Sequence, residues 1–191
     1  MLSSGERNID PVRAIIERVL APSAAPHATL WDGSSERALP LYYTWWKKPR
    51  YSTDSDFSGI QDRWESAPVL RLRNAESSEV VRIYSPTVPF QAYVTSFSAR
   101  PTGNSAPEHM LSAEPSPKTL GAAGGTLSPG SIEIRQISDG ANRWAEMTVP
   151  RDALGPYTVI SANWRVLGNK PDTLAPEATA AWNFRVLRPR G

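Results

Sequence analysis

The stretch from Ser131 to Arg188 constrains this chain more than any other, because it alternates between apolar and polar residues in four successive segments. In Tyr157 to Val166, Ile160, Ala162, Trp164 and Val166 fall on one face, with Thr158 extending it. Tyr157, Ser161, Asn163 and Arg165 fall on the other, and Val159 breaks the pattern. Side chains of a strand point alternately to its two faces, so this is the pattern of a half-buried strand. Ala180 to Leu187 repeats it, with Trp182, Phe184 and Val186 opposed to Asn183 and Arg185. Ser131 to Ile137 sets Ile132 and Ile134 against Glu133 and Arg135. Trp144 to Val149 sets Ala145, Met147 and Val149 against Trp144, Glu146 and Thr148. Turn formers separate the four: Asp139-Gly140, Pro150 to Pro156, and Gly168 to Pro176.

Between the second and third segments stands Leu154-Gly155-Pro156-Tyr157-Thr158-Val159. It resembles the tyrosine corner of immunoglobulin-like and fibronectin type III-like β-sandwiches, over about the last third of the chain. The resemblance implies a Greek-key crossing in which the Tyr157 hydroxyl bonds back to upstream backbone. It assigns Tyr157 to structure, and it carries no activity.

The remainder extends the β reading. Ala28 to Trp31, Leu39 to Trp46, Val69 to Arg73, Glu79 to Ser85 and Phe90 to Ser98 read as strands. Ser85-Pro86 and Val88-Pro89 place a break at a sheet edge or corner. One helix is expected near the N-terminus, capped by Asp10, with Pro11 at its first position. Val12, Ile15, Ile16, Val19 and Leu20 recur there at helical spacing, and Ala21-Pro22 ends it. So short a helix is marginal alone and needs a surface to dock on, either its own body or a neighbouring subunit. Residues 101–130, rich in Pro, Ser, Ala and Gly, show almost no periodicity. A loop of that length suggests an excursion held by another chain or a linker between two small β-domains. The expected architecture is mainly β: a Greek-key or jelly-roll-like sandwich of about eight or nine strands with one short N-terminal α-helix. Residues 1–27 form an arm, and 28–191 form the sandwich interrupted at 101–130.

Composition excludes several classes. A net charge of +2 gives no strong field for nucleic acid. Residues 1–25 pair Arg7, Arg13 and Arg18 with Glu6, Asp10 and Glu17, which is no basic arm for condensing a genome. Cysteine is absent, so neither disulfides nor thiolate metal sites are available. Met1 to Asp10 lacks the apolar core of a signal peptide, and no apolar run reaches the roughly 18 residues of a membrane span.

Constellations for chemistry are sparse. His27 and His109 sit in Pro- and Ser-rich loops with no Ser-His-Asp arrangement around them. Asp54, Asp56, Asp62 and Glu65 cluster between two strands, without the Gly and distal Glu spacing of a calcium loop. Gly121 to Gly125 lacks the Lys and flanking elements of a phosphate loop. The suggestive segment is Tyr42 to Tyr51, with five aromatics and three cations in ten residues. As a strand it places Tyr42, Thr44 and Trp46 on one face and Tyr43 and Trp45 on the other. Both faces cannot be exposed, so one is core and the other meets a partner. Tyr43, Trp45, Trp46, Lys47, Lys48, Arg50 and Tyr51 are therefore the candidate partner- or ligand-binding residues.

The expected function is non-enzymatic: a structural subunit of a larger assembly such as a viral or phage particle or a surface appendage. Its partners would be other protein subunits, without cofactor, metal or catalytic residues. Two alternatives stand beside it. One is a carbohydrate-binding module using Trp45, Trp46 or Trp64. The other is a small hydrolase built on Asp54 to Glu65.

Overall fold

A computed structural model describes residues 11–31, 33–47, 55–58, 64–71, 78–102, 105–166 and 178–188. Helix α1 is Pro11–Arg18. The strands are β1 His27–Trp31, β2 Glu36–Leu39, β3 Leu41–Lys47, β4 Ser55–Ser58, β5 Val69–Arg71, β6 Glu79–Tyr84 and β7 Gln91–Phe97. Then come β8 His109–Pro115, the short helix α2 Pro117–Leu120, β9 Ile132–Asp139, β10 Asn142–Val149, β11 Tyr157–Trp164 and β12 Ala178–Leu187.

All twelve strands join one sheet, in the order β2-β1-β6-β10-β9-β8-β7-β11-β12-β3-β4, with β5 on β12. The expected division into two sheets of about eight or nine strands is therefore replaced by one larger sheet. Strand β8 is the physical reason. It pairs antiparallel with β7 along Ala92↔Ala113 to Ser96↔His109. It also pairs parallel with β9 through Ala113↔Ile132 to Pro115↔Ile134, joining what would be separate sheets. The sheet rolls on itself until β2 lies against β12 and β5, where Arg37 donates to the Val69 carbonyl at 3.0 Å. The result is a nearly closed, barrel-like wall.

Its inner face is the apolar face read from the alternation. Ile134, Ala145, Met147, Val149, Ile160, Ala162, Trp164, Trp182, Phe184 and Val186 are all buried in one cluster with Leu30, Val81, Ile83 and Val94. Burial of this kind is the main favourable term in folding. Strand β8 lies inside the segment without periodicity. Only Ala113 and Pro115 of it are buried, so no alternation of large side chains announces it. Strand β2 is likewise exposed at three of its four positions, and Pro40 separates it from β3.

The corner at Leu154 is built by close approach. Leu154 is fully buried, and a Cβ on Gly155 would lie 2.9 Å from Ser96 Cβ and 3.1 Å from the Phe97 carbonyl oxygen. Thr158 Oγ1 donates to the Gly155 carbonyl at 3.0 Å. The Tyr157 ring lies edge-on to Trp64 at 5.2 Å and beneath the Arg185 guanidinium at 5.7 Å.

Helix α1 begins at Pro11 as expected, while Asp10 lies outside the described residues. Its C-terminal end is bonded to its own body. Ala21 donates to the Arg165 carbonyl and Arg165 to the Val19 carbonyl, both at 2.9 Å, and Val88 donates to the Arg18 carbonyl. Arg18 Nη1 reaches the Thr119 carbonyl at the end of α2, 2.9 Å away.

Candidate functional site

The aromatic run lies on β3, and one irregularity decides which way its rings point. Ala181 of β12 is opposite Tyr43, whereas Trp182 is opposite Leu41. Tyr42 is thus an extra residue, a β-bulge against one step of the partner strand. Strict alternation would put Tyr42 with Thr44 and Trp46. The bulge instead brings Tyr42 to the outer face beside Tyr43, where both pack on a second cluster of Trp64, Ala67, Val159 and Ala181. Tyr42 lies 5.5 Å from Trp64 and 6.4 Å from Tyr43, ring centre to ring centre.

The candidate residues therefore separate. Trp46 is core: it meets Trp164 at 5.4 Å, and its Nε1–H donates to the Pro22 carbonyl at 3.1 Å. Trp64 is buried too, as the lid of the second cluster. Tyr43 is half-buried, and burial pushes its hydroxyl above the ordinary value. Trp45 is 42 % exposed. Lys47 ends β3, and Lys48, Arg50 and Tyr51 lie outside the described residues, as do Asp54 and Asp62. Glu65 is exposed and lies 3.7 Å from Arg100. His109 is exposed at the start of β8.

The registers extend this outer face beyond β3. Tyr43 is followed across the sheet by Ala181, Ser161, Tyr93 and Ser112. Trp45 is followed by Thr179, Asn163 and Gln91. Tyr43 and Tyr93 stand three strand spacings apart, about 14 Å. Thr179 Oγ1 donates to Asn163 Oδ1 at 2.8 Å. The Asn163 Nδ2 hydrogens are left to point elsewhere.

A second organised surface lies on the outer face of β2, β1, β6, β10 and β9. Arg82 bonds Glu36 at 2.7 Å and Glu146 at 3.2 Å, and Arg135 adds a 2.9 Å bond to Glu146. Tyr84 donates to Glu36 at 2.5 Å and stacks on His27 with ring centres 4.5 Å apart. Burial opposes the charge on Glu36. The hydrogen bonds from Tyr84 and Arg82, with the charges of Arg82 and His27, outweigh it and hold the carboxyl below its usual value. Burial and the Glu36 carboxylate push the Tyr84 hydroxyl up. Beside this network a cleft of about 530 Å³ opens between the His27–Tyr84 stack and the β9–β10 turn at Gly140 and Ala141. Sequence reasoning missed this surface, because its residues come from five strands and no two of its charged partners are near in sequence.

Among the described residues no group of three or more His, Asp or Glu is placed to hold a metal ion, and no helix is long and apolar enough to cross a membrane. The chain matches no protein-family model, no curated protein and no solved structure.

Proposed function

We propose that this chain is a non-enzymatic structural subunit of a larger assembly, of the kind found in viral or phage particles and surface appendages. One observation carries the reading: the open edge of β8. His109–Ser112 pair with β7 on one side, and β9 joins the other side only from Ala113 onward. Unpaired strand edges are templates for another chain, and proteins that remain alone blunt them with Lys, Pro or bulges. Here the edge carries Met110, 66 % exposed. An extended segment of a partner subunit added along His109–Ser112 would complete the backbone pairing and cover Met110. Within this reading the fold-level resemblance of the last third to immunoglobulin-like sandwiches is supported by the packed corner at Gly155.

Mass photometry across a wide concentration range, together with amide exchange at residues 109–112, tests it. The expected result is a defined oligomer, or a complex with the native assembly, in which those amides become protected. Met110→Lys should abolish the association and leave the fold intact. A chain that stays monomeric at high concentration and gains no protection from the native assembly overturns the proposal.

A further inference from the structure

We infer that the cleft between the His27–Tyr84 stack and the β9–β10 turn binds a small ring compound carrying one anionic group, a carboxylate or a phosphate. Its lining residues come from β1, the end of β6 and the β9–β10 hairpin, and none from β8, so the site is separate from the assembly edge. At about 530 Å³ it lies within the roughly 300–1,000 Å³ of small-molecule sites. Both walls are fixed by the fold. One is a two-residue hairpin turn: Asp139 pairs with Asn142, and Gly140 takes a φ of 58°. Such turns match the twist of the strands and favour glycine. The other wall is Ser85-Pro86. There the Thr87 N–H donates to Ser85 Oγ at 3.3 Å, and Thr87 Oγ1 donates to the Leu20 carbonyl at 2.6 Å. The Tyr84 ring is held between His27, 4.5 Å away, and Trp144, 5.9 Å away, with its hydroxyl bonded to Glu36. A ligand arriving here has little left to order.

Charge selects an anion. On the surface beside the cleft, Arg82 and Arg135 are matched by Glu36 and Glu146, and Glu146 also accepts from Trp144 Nε1 at 3.3 Å. Those groups satisfy one another. Three lining side chains remain: among the described residues, His27, Asn142 and Arg143 have no side-chain hydrogen bond or ion pair. All three carry donors. Among the described residues no carboxylate lines the cleft, and Asp139, exposed at the other end of the turn, is not part of the lining. A guanidinium fork is the usual partner of a carboxylate or phosphate. One unmatched guanidinium suits one anionic group, not a polyanion, which also agrees with a net charge of +2. The ring follows from the stack, whose planes lie 9° apart and set flat aromatic surface beside the donors.

Calorimetry of the full chain tests the inference with adenosine monophosphate and glucuronate as ring anions. Adenosine and methyl glucoside are their neutral counterparts, and inorganic phosphate and acetate are the anions without a ring. At least one ring anion should bind, about tenfold or more tighter than both its neutral counterpart and its bare anion. Which of the two binds tells phosphate from carboxylate. Arg143→Ala and His27→Ala should each weaken that binding about tenfold, and Arg143→Glu should abolish it. Both positions are exposed, so the unfolding midpoints of these variants should match the parent's. No binding of either ring anion, equal binding of the neutral or ring-free probes, or binding indifferent to Arg143→Glu overturns the inference. Titration at protein concentrations below those of self-association keeps this result independent of the assembly reading.

Discussion

The guanidinium carbon of Arg82 lies 4.5 Å from the centre of the Trp31 ring. Trp144 stands 5.3 Å from the same carbon, and Glu36 and Glu146 take up its N–H groups. One cation thus ties β1, β2, β6 and β10 together across a largely covered patch, with 18 % of its side chain exposed. Removing it leaves two carboxylates close together without their shared counter-charge. Arg82→Ala should therefore destabilise the protein by about 2–3 kcal/mol, more than an exposed ion pair would. Arg82→Lys, which keeps the charge and loses the fork, should recover about half of that. Urea denaturation of the three proteins measures both differences.

The same network makes stability depend on pH in a defined direction. The folded-state value of Glu36 lies below its ordinary 4.5. A carboxyl lowered on folding stabilises fully above its unfolded value, and the contribution disappears as pH falls through the folded value. Glu36→Gln should therefore be less stable than the parent at neutral pH, and the gap should close as pH drops below about 4.5. Thermal unfolding of both proteins from neutral to acid pH checks this. A gap that persists unchanged at low pH would mean that Glu36 acts through packing alone.

How far the sequence reached is clearest strand by strand. Alternation identified β9 to β12 because each places large apolar side chains on the face that meets the core, as Ile134, Met147, Ile160 and Phe184 show. It could not identify β2 or β8, where few side chains are buried and backbone pairing alone defines the strand. It reversed Tyr42, because a bulge exists only relative to the partner strand and nothing local to Tyr42-Tyr43 records the register of Ala181 and Trp182. On the candidate surface it found Tyr43 and Trp45 and missed Tyr93. Tyr93 sits in an ordinary alternating strand and becomes their neighbour only through two intervening strands.

Gly155 is required by space. An added methyl would meet Ser96 Cβ and the Phe97 carbonyl oxygen inside contact distance, and that carbonyl belongs to the backbone of β7, which pairs with β11. Gly155→Ala should lower stability by about 1–3 kcal/mol, the usual penalty for overpacking. The double variant Gly155→Ala with Ser96→Gly should recover part of the loss, since the closest of the two contacts is then removed. Denaturation midpoints of the single and double variants decide it.

Trp46 links the core to the segment after α1 through its bond to the Pro22 carbonyl. Trp46→Phe keeps a ring against Trp164 and deletes the donor. The expected loss is about 1 kcal/mol globally. The larger effect should be local: faster cleavage and amide exchange between α1 and β1, while the strands of the wall keep their protection. Uniform acceleration over the whole chain would argue against a local tether.

Asn183 presents the opposite case, a buried group whose removal should help. It is fully buried on β12 opposite Val159, and neither Oδ1 nor Nδ2 has a hydrogen-bond partner among the described residues. Its backbone N–H is already satisfied by the Pro40 carbonyl at 3.3 Å, so the side chain is not needed to hold the strand. Its surroundings are apolar, with Val159 and Ala181 in the second cluster. An unpaired buried amide carries a desolvation penalty of about 1–3 kcal/mol, whereas an apolar side chain of similar size carries none. Asn183→Leu should thus be neutral or stabilising by about 1 kcal/mol, despite replacing a residue in the middle of the longest strand. Asn183→Ala, which also removes the penalty but leaves a void, should be less stable than Asn183→Leu. Denaturation of the two variants separates the effects: if both lower stability equally, the amide has a partner and the argument fails.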